Sequence, residues 1–369
     1  LTCIYEQVAD FEVLRMIDTA PTRSVATLNP TVQSEDKLAF LKDARHFPGV
    51  VRGVEMHETH MSWVFLTEDR VYKLKKPVRF PYLDFSTLER REIACRAEDT
   101  LNRRLAPDVY EGVLPLTIDA SGLAIGGSGE TVDWLVVMRR LDPATNFETV
   151  LLTGQLKIWQ VDRVAATLKA FYRHARPVLM PAEHLLADWR RATALNRSVL
   201  CDKRFGLPLG PIGRILGLQQ RFLSEHGEVL AKRARNGRII DAHGDLRPEH
   251  IWLTRPIRII DCLEFDARLR ALDPLDEIAF LHLECERLGA CWAGERIRRR
   301  LATLLGEPRS SGLFLFYRTQ RALLRARLSI AHLLDERPRT PEKWPRRAHA
   351  YIRLAARDAV GLEHFIRKP

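Results

Sequence analysis

Residues 239 to 266 constrain this chain more than any other stretch. The segment Ile239-Ile240-Asp241-Ala242-His243-Gly244-Asp245-Leu246-Arg247-Pro248-Glu249-His250 leads into two short apolar runs, Ile251 to Leu253 and Ile257 to Ile260. Thr254-Arg255-Pro256 separates them, and two β-forming runs around a short breaker predict a small hairpin. A hairpin returns the chain to the end it started from. Asp245 stands just before the first strand and Asp261 just after the second, so the pattern brings both carboxylates to one end.

Phosphoryl transfer uses two such carboxylates: one orients the acceptor hydroxyl, and the other holds the Mg²⁺ that bridges the phosphates. The stretch is similar to the protein-kinase catalytic loop H-R-D-L-x-x-x-N with its later metal-binding D-F-G. His243-x-Asp245-Leu246 matches that loop, His250 stands where the pattern has Asn, and Asp261-Cys262-Leu263 stands where it has D-F-G. With Gly244 between His243 and Asp245, the stretch resembles the aminoglycoside phosphotransferase and choline kinase superfamily. The resemblance implies Asp245 and His243 as catalytic-loop residues and Asp261 as a metal ligand. The bland alternative is a hairpin with polar ends, and an upstream lysine and glutamate decide between the two.

Those residues can be sought in a β-rich region ahead of a helix. Met61 to Leu66 and Arg70 to Leu74 are rich in β-formers, with Thr67-Glu68-Asp69 as a turn. Alternation places Val71, Lys73 and Lys75 on one strand face, and Pro77 ends the strand. Lys73 is the choice for holding nucleotide phosphates and Lys75 the alternative; a solvated lysine edge is the competing reading. Ser86-Thr87-Leu88-Glu89 reads as a capping box opening a helix that runs to about Leu105. Ala94, Glu98, Leu101 and Leu105 share one face of it. A carboxylate on an apolar face needs a cation, because burying an unpaired charge is costly. Glu98 is therefore expected to pair with the strand lysine.

Several strings here resemble a bacterial group of aminoglycoside phosphotransferase-like proteins: Glu58 to Leu66, Tyr72-Lys73-Leu74-Lys75-Lys76-Pro77-Val78, Leu83 to Arg91, and Leu101-Asn102-Arg103-Arg104-Leu105-Ala106-Pro107. The similarity runs from about residue 36 to the end. It implies an α+β, bilobal protein-kinase-like fold: a small β-rich N-lobe with one long helix, and a large, mainly helical C-lobe. It also implies ATP and Mg²⁺ as cofactors, and a hinge near Met138 and Leu141 whose backbone meets the adenine. Members of the group are often fused to a P-loop kinase domain, but Gly126-Gly127-Ser128-Gly129 lacks the P-loop lysine and reads as a hairpin turn. The expected divisions are an extension over 1–35 with a short helix around Glu6 to Met16, an N-lobe over 36–140 and a C-lobe over 141–369.

The C-lobe reads as helices over Leu156 to His174, Leu185 to Val199, Ile215 to Arg235, Leu313 to Leu334 and Ala348 to Phe365. Asp273-Pro274 caps another. The resemblance makes Asp276 a brace of the catalytic loop, while a first-turn carboxylate favoured by the helix dipole accounts for it equally well. His250 leaves three outcomes: it ligates the metal, Glu264 supplies the second carboxylate in its place, or metal binding is lost. Glu264 is favoured, because Asp261 and Glu264 flank one short turn and Mg²⁺ prefers oxygen ligands.

Composition narrows the class further. No run of about 18 apolar residues offers a membrane span, and no basic start with an apolar block marks a secretory signal. The six cysteines are scattered without a C-x-x-C pair, which suits reduced thiols in a cytoplasmic protein rather than zinc. The net charge is +11, with arginine concentrated at Arg296 to Arg300, Arg321 to Arg327 and Arg346 to Arg347. A solvated arginine-rich helical surface is expected there rather than a nucleic-acid site, since no exposed-looking aromatics interleave. The leading expectation is transfer of the ATP γ-phosphate to a hydroxyl of a small molecule. A kinase-like protein that binds nucleotide without turnover is the alternative, and a basic RNA-associated protein a third.

Overall fold

The computed structural model describes residues 32–49, 51–80, 83–307, 312–334 and 340–367. The extension helix expected around Glu6 to Met16 lies outside them. The chain divides into two compact units, one of residues 1–145 with 258–266, the other of 146–257 with 267–369. The architecture is α+β.

The first unit is built on a six-stranded antiparallel sheet, in the spatial order Glu55–Glu58, Ser62–Leu66, Arg70–Lys75, Glu130–Arg139, Tyr110–Asp119, Gly122–Ile125. The central strands bury apolar side chains on both faces. Val64, Leu66, Val71, Val136 and Met138 form one core with Cys95 of the long helix, Leu88–Asn102. Phe65, Tyr72, Leu74, Leu135 and Val137 form the other, covered by Leu41 and Phe47. Because both faces are covered, a charge on the central strand Arg70–Lys75 has to find a partner in the interior. The long helix begins one residue later than the capping box predicts. Thr87, not Ser86, is the cap and accepts from Arg90 N at 3.3 Å, because Ser86 is drawn back to Asp84 by its own N and Oγ.

The second unit is helical. Leu313–Ala331 is buried almost throughout, flanked by Lys343–Arg367, Pro274–Arg287 and Ala182–Leu200. A helix buried all round is ordinarily apolar all round, yet this one carries Arg318, Arg321, Arg325 and Arg327, all buried. This corrects the expectation of a solvated arginine surface for Arg321 to Arg327. Arg318 meets Asp358 and Glu286, Arg321 meets Asp276, and Arg325 meets Glu284 and Tyr351. The expected Ile215 to Arg235 helix is two, Leu209–Glu225 and Gly227–Arg235. The break falls at His226, which ends the first helix and precedes the second.

Strands form at Ile251–Trp252 and Arg258–Ile259, shorter than the apolar runs that predict them, and a 3₁₀ turn, Pro248–His250, precedes the first. No helix among the described residues is long and apolar enough to cross a membrane. Among the described residues, Cys95, Cys262 and Cys285 are buried, Cys201 is half-buried and Cys291 exposed.

Candidate phosphoryl-transfer residues

In the first unit both strand lysines reach the helix glutamate. Lys73 Nζ lies 2.8 Å from Glu98 Oε1 and Lys75 Nζ 2.7 Å from Glu98 Oε2. The choice between the two lysines dissolves at this point, since the carboxylate takes one with each oxygen. The lysines differ on their other side: Lys73 lies 3.4 Å from Asp261 Oδ1, and Lys75 2.6 Å from Glu264 Oε1. Burial works against the Lys73 charge, but the Glu98 and Asp261 carboxylates outweigh it and hold its pKa well above the ordinary value. For Glu98, burial pushes the carboxyl up and the two lysines prevail, leaving it lowered. Lys73 and Glu98 are thus both held in their charged forms.

Two ammonium groups face three carboxylates in this cluster, leaving one negative charge in excess. Asp261 and Glu264 offer only oxygen to a ligand, the donor that Mg²⁺ prefers, so the donor set and its surplus charge fit a hard divalent cation. Asp261 has φ 67, a left-handed backbone that a non-glycine residue rarely adopts and that the surroundings must hold. Asn102 is one such holder, missed by sequence reasoning. Its Nδ2 donates to Glu98 O at 2.9 Å and its Oδ1 accepts from Cys262 N at 2.8 Å, tying the turn after Asp261 to the helix of Glu98. The string Leu101 to Pro107 held the signal, as a motif without an assigned role. Of the expected hinge residues, Met138 sits inside the sheet, opposite Val71 on one side and Tyr110 on the other. Leu141, past the strand end, is partly buried against the core beside it.

In the second unit the loop around Asp245 is a buried ionic network. Arg247, fully buried, donates to Asp245 Oδ2 at 2.5 Å and to Glu249 Oε1 at 2.6 Å. Burial pushes the Asp245 carboxyl up, but the Arg247 charge, with Arg325 beyond it, more than reverses this, and the pKa is lowered. Asp245 is therefore an anion. Gly244, at φ 93, makes the turn that sets it between His243 and Asp245. His243 Nδ1 accepts from Asp245 N at 3.3 Å. His250 Nδ1 lies 2.8 Å from Asp245 O and Nε2 3.3 Å from Arg247 Nη2. Since a carbonyl only accepts and a guanidinium only donates, the imidazole carries its proton on Nδ1 and its lone pair faces Arg247.

The brace of this loop is Glu277, one residue beyond the expected Asp276. Glu277 Oε1 accepts from His243 N at 3.0 Å and Gly244 N at 2.7 Å, and Oε2 accepts from Tyr172 OH at 2.7 Å. Asp276 instead takes Arg321 with both oxygens, at 2.8 and 2.6 Å. Asp273 caps the helix as predicted, accepting from Leu275 N at 2.9 Å. Among the described residues, His282, Glu286 and Cys291 place three potential metal-ligand atoms within 4.8 Å of one another. Arg318 donates to both His282 and Glu286 there, so a guanidinium already fills the cation's role.

No family model matches the chain. Uncharacterised proteins of Mycobacterium bovis and of two Mycobacterium tuberculosis strains are 32% identical to it over 314 residues, 82% of this chain. The chain spans 61% of the length of these curated relatives. Among solved structures, choline kinase from Cryptosporidium parvum is similar at a TM-score of 0.54 and 12% identity, over 91% of this chain and 98% of that one. A choline/ethanolamine kinase family protein from Mesorhizobium loti gives 0.47 at 14% identity, over 90% and 99%. An aminoglycoside phosphotransferase mutant in ternary complex with AMP-PNP and hygromycin B gives 0.46 at 15%, over 87% and 99%. The likeness to choline kinase is one of fold: this chain has the kinase-like fold.

Proposed function

We propose that the chain is a nucleotide-dependent phosphotransferase of the aminoglycoside phosphotransferase and choline kinase superfamily, moving the γ-phosphate of ATP to a hydroxyl of a small molecule. The observation that carries this reading is Lys73, half-buried between the carboxylates of Glu98 and Asp261 at 2.8 and 3.4 Å. An ammonium poised between a fixed carboxylate and a looser one can turn towards phosphate oxygens without losing its anchor. On this reading Lys73 holds the phosphates and Glu98 fixes Lys73. Asp261, with Glu264, would hold Mg²⁺, which supplies charge neutralisation at the phosphates when bound. Asp245, ionised and fixed by Arg247, orients the acceptor hydroxyl. His243 shapes the loop through its ring and backbone. By the family resemblance, Leu141 belongs to a hinge whose backbone would meet the nucleotide base.

The engagement of both His250 ring nitrogens favours Glu264 over His250 as the further metal ligand. The same engagement, with Arg247 on the Asp245 carboxylate, supports a second reading: a nucleotide-binding protein that turns over slowly or not at all. An RNA-associated role loses support, because four of the arginines of Leu313–Ala331 are buried. A polycationic aminoglycoside acceptor is disfavoured by the net charge of +11. The test is ATP and GTP binding by thermal shift with and without Mg²⁺, followed by an acceptor screen that reads nucleotide turnover. Metal-dependent stabilisation with turnover supports the transferase, stabilisation without turnover for any hydroxyl acceptor supports the second reading, and absence of nucleotide binding overturns both.

A further inference from the structure

Lys75 is the residue this reading leaves without a task. It is 1% exposed, its ammonium lies 4.9 Å from the centre of the Phe85 ring, and it bridges Glu98 Oε2 and Glu264 Oε1 at 2.7 and 2.6 Å. A lysine so enclosed, with a carboxylate on each side and an aromatic face over it, has no direction in which to reach a phosphate. Lys73, on the same strand face, is 12% exposed at its side chain and holds its second carboxylate more loosely, at 3.4 Å. The two lysines are therefore not equivalent.

Glu264 is the other half of the observation. Lys75 takes one of its oxygens, and the second makes no hydrogen bond among the described residues. A carboxylate pinned by one oxygen presents the other in a fixed direction. Mg²⁺ demands near-ideal octahedral geometry and gives up its water reluctantly, so a ligand that is already oriented binds it with less ordering cost. We propose that Lys75 is a positioning residue of the divalent-cation site: it fixes Glu264 for the cation and occupies the second oxygen of Glu98, so that Lys73 alone turns to the phosphates. This rests on the phosphotransferase reading and adds to it a division of labour between two lysines two residues apart.

The experiment compares ATP affinity of the full chain in EDTA and in Mg²⁺, by calorimetry, for wild type, Lys75→Met, Lys75→Arg, Glu264→Gln and the Lys75→Met/Glu264→Gln double variant. The inference expects Lys75→Met to reduce the Mg²⁺-dependent gain in ATP affinity by about tenfold, the lower end of what losing an outer partner of a metal ligand costs. Affinity in EDTA should fall by clearly less than affinity in Mg²⁺, since Lys73 keeps its own oxygen of Glu98. Lys75→Arg should restore part of the gain. The double variant loses one charge of each sign, which preserves charge balance if the single variant does not fold, and it should match Glu264→Gln alone. Three results overturn the inference: an equal loss in EDTA, which makes Lys75 a phosphate contact; an undiminished Mg²⁺ gain in Lys75→Met; or additive effects in the double variant. A wild-type chain that binds no nucleotide under either condition overturns the phosphotransferase reading itself.

Discussion

Glu98→Gln tests the heart of the first unit. The substitution removes the charge that two ammonium groups, one buried and one half-buried, share at 2.7 and 2.8 Å, while keeping size and one acceptor oxygen. Breaking a buried ion pair typically costs about 3–5 kcal/mol, because a desolvated charge loses its partner. Here each lysine keeps a second carboxylate, Asp261 at 3.4 Å and Glu264 at 2.6 Å, and the cluster passes from one surplus negative charge to balance. The loss should therefore sit near the lower end, about 3 kcal/mol. Because the chain has two units, a global melt would blur the effect. Hydrogen exchange read by mass spectrometry resolves it: protection should fall in Arg70–Lys75 and Leu88–Asn102 and hold in Leu313–Ala331. The pH dependence supplies a second check. The Glu98 carboxyl is lowered from its ordinary 4.5 in the folded state, so its stabilisation is complete above that value and disappears as pH falls through the lower, folded one. The difference between wild type and variant should then shrink below about pH 4.5. A loss under about 1 kcal/mol, or a difference that persists unchanged into strong acid, would refute the argument that charge pairing holds these elements together.

Other perturbations follow from the same geometry. Asp245→Asn should abolish phosphoryl transfer with ATP affinity within about twofold, since the charge is used in the chemical step rather than in ground-state binding; turnover at the wild-type rate would remove Asp245 from the chemistry. The same variant should cost about 1–3 kcal/mol in urea unfolding, because buried Arg247 loses one of its two carboxylates. Glu148 is raised from 4.5 to about 7 by burial and the neighbouring Glu249, so the stability tied to its neutral form is present in acid and lost as pH rises through about 7. Glu148→Gln should gain on wild type by up to roughly 3 kcal/mol between about pH 5 and 8, and parallel stability profiles would count against the raised carboxyl. Thr87→Ala should cost about 1 kcal/mol of stability as a lost helix cap; a larger cost for Ser86→Ala in the same urea titration would return the cap to the position that the capping-box pattern predicts.

Local patterns made much of this legible. The alternation that puts Val71, Lys73 and Lys75 on one face, and the spacing that puts Glu98 with Ala94 on the core side of its helix, together demanded a lysine–glutamate pair. Both period arguments hold because side-chain direction in a strand or helix is a property of the backbone alone. The cap at Asp273, the turn at Thr67 to Asp69 and the β-formers around Lys73 are of the same kind. The capping box slipped by one residue because two hydroxyls stood side by side, and only the pull of Asp84 on Ser86 separated them.

Partners brought from distant parts of the chain were decided by tertiary structure. Nothing local distinguishes Asp276 from Glu277 in a first helical turn, yet one takes Arg321 and the other holds the backbone of His243 and Gly244. Arg321 and Arg325 read as part of a solvated stripe because charge in a helix ordinarily seeks water, and they are buried because Asp276 and Glu284 arrive from a neighbouring helix to receive them, as Glu286 and Asp358 receive Arg318. Lys75 reads as a spare copy of Lys73 until Glu264, 189 positions away, closes on it. Sequence alone thus determined which way side chains point, since that follows from backbone periodicity. The fold decided which charges meet, since ion pairing depends on distances that sequence separation does not measure.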